Sequence, residues 1–489
     1  MKTRVGVYGC MALGAVLLGC ANTQSRDQLA KFHNAYYAKQ NQQADKFAKN
    51  ILAKDKKQVS SPLWELQDGV NAFMMSNYKD SLSVLDKANK AFDTNLNNMA
   101  KGIAKAGAAT FGSATNIPYE GHMYEWALTN YYMALDYAFM GNFKDARVEF
   151  NRTMERQRRI KDVYTKEIQK TLDDQGDAKK KDANKFKSMT DSFSYFEQQL
   201  QQRYAMLEKA RESKEKNATP DKDLSAKYSS LKSLAAYEGF INPLVSYVAG
   251  LFYGISGDSK GIDGLKEAYA VSKASVVAQD IKYFEGHSKE KITWIIVEDG
   301  AQPTLEEYKN ANLNYALPLL KPGVDFHSNF TLSTGTKVEK FEILSHFDGV
   351  VQAEYQKTLP AIKARAITSA ILKTGAGKGL STAGAAAGGE TGMALMAAGG
   401  IMHAINKTTT AADTRGSTIF PNTIYVARVR NSKAPHFSVK IDAMTKDFST
   451  TTCNLNAPKQ QPNQVCSNTN NIIFIRTFQD DSNIKVLSF

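Results

Sequence analysis

The chain is poor in the residues that build most metal and nucleophile sites. Four cysteines occur in 489 residues, Cys10, Cys20, Cys453 and Cys466. Seven histidines (His33, His122, His287, His327, His346, His403 and His436) are scattered, with no His-Glu-x-x-His or other ligand spacing, so no metal site is expected. No Gly-x-Ser-x-Gly nucleophile turn occurs. The stretch "TGAGKGLST" (Thr374–Thr382) mimics a phosphate loop, but Leu372 stands where the first Gly belongs and Gly379 where the hydroxyl residue belongs. It reads as the loop of a helical hairpin, and no cofactor is expected. The acid pairs Glu306-Glu307 and Asp480-Asp481 are adjacent rather than opposed and read as solvated surface. Long apolar runs are missing too, with one exception at the start.

Lys2 and Arg4 precede an uncharged stretch from Val5 to Leu18. It is too short to span a bilayer, which takes roughly 20 apolar residues. A basic start, a short apolar core and small residues at the exit describe a secretory signal peptide. Its ending, Leu17-Leu18-Gly19-Cys20, resembles the bacterial lipobox, whose cysteine becomes the diacylated first residue of the mature protein. Residues 1–19 are therefore expected to be a lipoprotein signal peptide, and 20–60 a lipidated N-terminus with a first helix. Buried acyl chains contribute about 0.8 kcal/mol per methylene, enough for a stable anchor. Ala21 after the cysteine, by the same resemblance, implies the periplasmic face of the outer membrane. With Cys20 acylated and Cys10 removed, Cys453 and Cys466 are close together in an exported chain. A disulfide stapling "NLNAPKQQPNQV" is expected.

The formal charge of +13 becomes +11 when Lys2 and Arg4 leave with the leader (13 − 2). Its basic residues are interspersed with acids along helices, which describes solvated faces and not a nucleic-acid surface. A modest attraction to anionic lipid or to acidic groups of the envelope is consistent with the surplus.

This length predicts two or three domains. From Gln24 to Glu290 the pattern is helical. "SNYKDSLSVLDKA" (Ser76–Ala88) and "GNFKDARVEFNRT" (Gly141–Thr153) share a turn, an aromatic residue and Lys-Asp before an amphipathic helix, like the second helix of a tetratricopeptide (TPR) unit. Their first helices are expected over Leu63–Met75, with Gly69 at the crossing, and Met123–Met140, with Ala134 there. Tyr247–Tyr269, with Gly250 and Gly257, is a looser third copy. A generic helical bundle is the alternative. Lys101–Pro118 interrupts the first pair, and a long charged helical pair occupies about 145–215. From Lys291 the pattern turns to strands: "KITWIIVEDG", "VDFHSNFTLS", "KVEKFEIL", then "NTIYVARVR", "HFSVKIDAM", "NNIIFIRTF" and "NIKVLSF". Between them lie a helix over Phe347–Lys373 and a Gly/Ala-rich run. The expected fold is mostly α: a TPR-like helical repeat domain (61–290) followed by a smaller mixed α+β domain (291–489) with a helical hairpin over about 347–410.

The segments "YEGHMYEWALTNYYMALDYAFMGNFKDARVEFNR", "TWIIVEDGAQPTLEE", "ALPLL", "LPAIKARAITSAILK" and "AADTRGSTIFPNTIYVARV" occur in that order. Together they resemble an uncharacterised family of bacterial envelope lipoproteins with an N-terminal TPR-like region, over nearly the whole mature chain. The family pattern has an aromatic residue near Ser417, so "ADTRGSTIFP" departs from it. The resemblance implies a fold and an address but no activity. Gene neighbours resembling penicillin-binding-protein activator lipoproteins link the family to cell-wall upkeep.

One polar-aromatic cluster stands out. Tyr119, Glu120, His122, Glu125, Asn130 and Tyr131 open one helix, and Arg147, Glu149, Asn151 and Arg152 lie on the next. Either they line a concave face that takes a protein partner, or they cap and brace packed helices. Arg365, Asp413 and Arg415 form a second candidate, an internal ion pair locking the hairpin to the sheet. The expected function is a lipid-tethered scaffold, not an enzyme, that holds an unidentified periplasmic or outer-membrane protein. The alternative is a cell-wall hydrolase or transglycosylase with Glu120 or Glu125 as proton donor, which would need a pocketed acid of raised pKa.

Overall fold

A computed structural model describes residues 25–100, 118–159, 183–215, 241–310, 315–335, 337–387, 411–454 and 464–489. The leader, Cys20, residues 101–117 and the second half of the expected hairpin, 388–410, lie outside them.

The N-terminal half is built of helices: α1 (25–37), α2 (Asn41–Lys54), α3 (Ser61–Met74) and α4 (Tyr78–Ala100), then α5 (Met123–Phe139) and α6 (143–159). Pro62 sits in the first turn of α3, where a missing N–H breaks no helical bond. Gly69 lets α3 and α4 meet closely, because a Cβ there would lie 2.5 Å from the Leu85 side chain. After α7 (Ala183–Glu215), the pair α8 (Pro243–Ile255) and α9 (Lys260–Ser272) approaches closer still. A Cβ on Gly261 would stand 2.4 Å from the backbone nitrogen of Gly254, so two backbones touch where any side chain would separate them. α10 (Ser275–Glu285) closes the half.

Among the described residues, twelve strands flank one long helix, α11 (Phe347–Ala387). β1 (Ile292–Asp299), β6 (Glu342–His346), β7 (Thr423–Arg430), β11 (Asn471–Thr477) and β12 (Ser482–Ser488) form a mixed sheet in the order β12-β11-β1-β7-β6. In it β1 runs parallel to β11 and antiparallel to β7, with Trp294 opposite Ile472 and Arg428. β4 (Phe330–Thr334), β5 (Lys337–Lys340), β8 (His436–Ile441), β9 (Met444–Thr451) and β10 (Gln464–Cys466) make a second sheet, ordered β10-β9-β8-β4-β5. β2 (Thr304–Asn310) and β3 (Tyr315–Lys321) form a separate two-stranded ribbon.

Alternation along β1 places the layers. Ile292, Trp294 and Ile296 face the helices, and Ile295 and Val297 pack with Phe330, Val439 and Phe448 of the second sheet. Covered on both sides, β1 is buried at every residue, which is why it reads as an unbroken apolar run. The result is a helical layer on a sheet on a sheet.

The helical region followed by an α+β region agrees with expectation. Residue 290, however, marks a change of secondary structure and not a gap in the core, because one apolar cluster runs from Phe32 through Trp126, Trp294 and Phe420 to Leu487. The loop expected at Thr374–Thr382 is corrected: α11 continues through it as helix to Ala387. Single glycines at about 1 kcal/mol each, set among Ala, Leu and Lys, do not stop a helix. The β2–β3 ribbon was not anticipated, since Pro318 argues against a strand; β3 accommodates it by pairing on one edge only. Cys453 and Cys466 are disulfide-bonded, with Cα atoms 5.1 Å apart.

Candidate functional site

Residues 411–422 carry no helix or strand, yet Ala412, Arg415, Ser417, Thr418, Ile419, Phe420 and Asn422 are buried between the helices and the sheet. Irregular backbone in the interior must find partners for its N–H and C=O groups. Side chains from distant elements supply them. Glu125 of α5 accepts the Ser417 N–H (2.7 Å), and Gln67 of α3 accepts from the Thr418 N–H and hydroxyl. Gln302 accepts from the Phe420 N–H and donates to the Ser417 carbonyl. Tyr37 of α1 donates to the Phe420 carbonyl, and Arg476 of β11 donates to that of Ile419. The strap is thus the clasp between helices and sheet.

Glu125 is the hub. One oxygen takes the Ser417 N–H; the other takes the Tyr119 hydroxyl (2.7 Å) and the His122 N–H (2.9 Å), the latter capping α5. Next to it, Glu354 of α11 accepts the Met123 N–H (3.1 Å) at the positive end of the α5 dipole. His122 lies 3.2 Å from Glu354 through Nδ1 and 3.2 Å from the Arg415 carbonyl through Nε2. Both neighbours are acceptors, and only the imidazolium donates to both. Burial pulls the His122 pKa down, but the Glu354 hydrogen bond and the charges of Glu125 and Glu354 outweigh it and raise it to about 9.

Asp413 and Arg415 do pair, at 2.6 Å, and the guanidinium also reaches the Val59 carbonyl and lies over the Tyr119 ring. Arg365 is exposed on α11, and through Val59 and Tyr119 the Asp413–Arg415 pair joins the strap to the helical layer. The concave face is corrected as well. Tyr119, Glu125, Asn130, Tyr131 and Glu149 are buried, Glu120, His122, Arg147 and Asn151 are half-buried, and only Arg152 is exposed. Asn130 donates to Glu149 (2.6 Å), Glu149 pairs with Arg152, and Arg147 pairs with Asp258 beyond α8. The strap covers Tyr119, His122 and Glu125, while Arg147 and Asn151 turn to the α8–α9 pair, so the residues brace helices on both sides.

Two further buried hubs tie the layers. Asp280 of α10 accepts from Trp294, Tyr247 and Arg428 at 2.6–2.7 Å, and burial pushes its pKa up to about 6 against those donors. His327 bonds Asp299 at 2.7 Å through Nδ1 and the Gln479 carbonyl through Nε2, so both nitrogens are engaged. One small cavity is lined by Tyr124, Gln157, Asn242 and Glu354, another by Tyr132, Glu298, Arg476 and Lys485. Each leaves about 10 Å³ for the centre of a water molecule, the room of a single water. Burial lowers Lys485 to about 8, the charge of Asp136 opposing it, while its ammonium donates to Ser76. Among the described residues no three His, Cys, Asp or Glu side chains are placed to hold a metal ion.

Sequence reasoning missed Gln67, Gln302, Glu354, Asp280 and Arg476. Each is a single polar residue in an ordinary amphipathic context, and its partner lies far along the chain, so no local signal marks it. No protein-family model, characterised protein or solved structure matches this chain.

Proposed function

We propose that this protein is a lipid-anchored scaffold at the periplasmic face of the outer membrane, which holds a protein partner through a TPR-like helical region and serves envelope or peptidoglycan upkeep. The observation that carries the anchor is the uncharged run ending in Leu17-Leu18-Gly19-Cys20. Among the described residues no helix is long and apolar enough to cross a membrane. The TPR-like reading is supported by successive helix pairs with glycine at their crossings, Gly69 in one and Gly261 in another.

The partner surface is moved from the Tyr119–Tyr131 stretch to the outward face of α7, where Tyr195 and Met206 stand 60% and 65% exposed. What weighs against the hydrolase reading is that both oxygens of Glu125 are occupied by strap and cap donors. Two measurements test the proposal. Cys20→Ser should no longer partition into detergent; fractionation with outer membranes just as wild type would refute the anchor. Pull-down of the solubilised lipoprotein should capture a protein that Tyr195→Ser with Met206→Ser loses, and capture unaffected by that double change would refute the α7 surface.

A further inference from the structure

The first two helices leave the tether with little slack. Cys20 is five positions from the start of α1, a covalent reach of at most about 18 Å. α1 and α2 fold back on each other across the turn at Lys39: Phe32 of α1 and Phe47 of α2 both pack on Trp64, with ring centroids 5.7 and 6.2 Å away. The end of α2 therefore sits beside the start of α1, the described end of the chain closest in sequence to Cys20.

That edge carries Lys54, Lys56 and Lys57, all exposed. The acid among them is turned inward, since Asp55 accepts from the N–H groups of Val59 (3.0 Å) and Ser60 (2.7 Å) and from the Ser61 hydroxyl (3.1 Å). Two other lysines of this hairpin are neutralised. Lys49 pairs with Asp45, and Lys39, at the opposite end, pairs with Asp481. Among the described residues none of the three edge lysines is paired with a carboxylate. Three outward ammonium groups on the turn beside the start of α1 make the surface that anionic headgroups complement.

We propose that the Lys54–Lys57 turn is a second membrane contact, lying against the anionic phospholipid headgroups of the leaflet that holds Cys20. This rests on the lipid-anchor reading above. The contact fixes the orientation of the molecule, with the α2–α3 turn toward the bilayer and the Lys39 end away from it.

The test removes the acyl anchor and keeps the patch. The mature chain with Cys20→Ser is sedimented with vesicles of phosphatidylcholine alone or mixed with phosphatidylglycerol. Binding is expected only to the anionic vesicles, lost at high salt, weakened at least about tenfold by Lys54→Gln/Lys56→Gln/Lys57→Gln and kept when the three are changed to Arg. Equal binding by the Gln triple variant, equal binding to neutral vesicles or no binding at all would overturn the proposal. Detergent partition of the full-length wild type distinguishes the two readings. An acylated chain whose Cys20→Ser form ignores anionic vesicles refutes the patch alone, and an unacylated chain whose mature form binds them refutes the anchor, and with it the second-contact role.

Discussion

Replacing Glu125 with Ala should loosen the whole clasp between helices and sheet. The carboxylate accepts three hydrogen bonds, from the Ser417 N–H, the Tyr119 hydroxyl and the His122 N–H, and is fully buried. Each buried donor left without an acceptor costs about 1–3 kcal/mol. Three of them sum to about 3–9 kcal/mol before water enters the space, and a net loss of about 4 kcal/mol is expected, a large share of the ~5–15 kcal/mol that holds a typical domain. Glu125→Gln keeps the shape but turns an NH₂ toward a donor, so about 2 kcal/mol is expected. Urea unfolding followed by circular dichroism gives both values. Hydrogen exchange at the Ser417 and Thr418 amides reports on the strap itself, and it should speed up in the Ala variant well before global unfolding. A loss below about 1 kcal/mol with unchanged exchange at Ser417 would refute the clasp.

The His122 pair makes stability depend on pH in a defined direction. Its folded pKa of about 9 lies above the ordinary 6.5, so its contribution is full below pH 6.5 and is lost as pH rises toward and through 9. With the ring about a quarter exposed, that contribution is at most about 3 kcal/mol, and His122→Gln should flatten the decline over this window; an unchanged slope would show that His122 is not charged in the folded state. Reducing Cys453–Cys466, which are 13 positions apart, should lower stability by roughly 3 kcal/mol, and non-reduced peptides should show the link by mass spectrometry. Alkylation of both thiols without reductant would contradict it.

Local pattern was enough for much of this molecule. Turn residues before "YKDSL" and "FKDAR", Gly69 at a helix crossing and the β-branched run of β1 each carry their structure in neighbouring residues, because helix and strand periodicity and turn chemistry act over a few positions. The Cys453–Cys466 disulfide was legible for the same reason, as two cysteines close in sequence in a chain whose start reads as an export signal. Only the tertiary structure decided that Tyr119–Tyr131 is interior and that "ADTRGSTIFP" is a strap. Polar aromatic residues at helical spacing look alike whether they face solvent or a buried segment. The segment that covers them arrives almost three hundred residues later, with Ser417 separated from Glu125 by 292 positions and Thr418 from Gln67 by 351. A buried strand-less backbone has no periodicity of its own. Its place depends on acceptors and donors that folding brings to it from α1, α3, α5, β11 and the turn after β1, and their cooperation exists only once helices and sheet have closed on it.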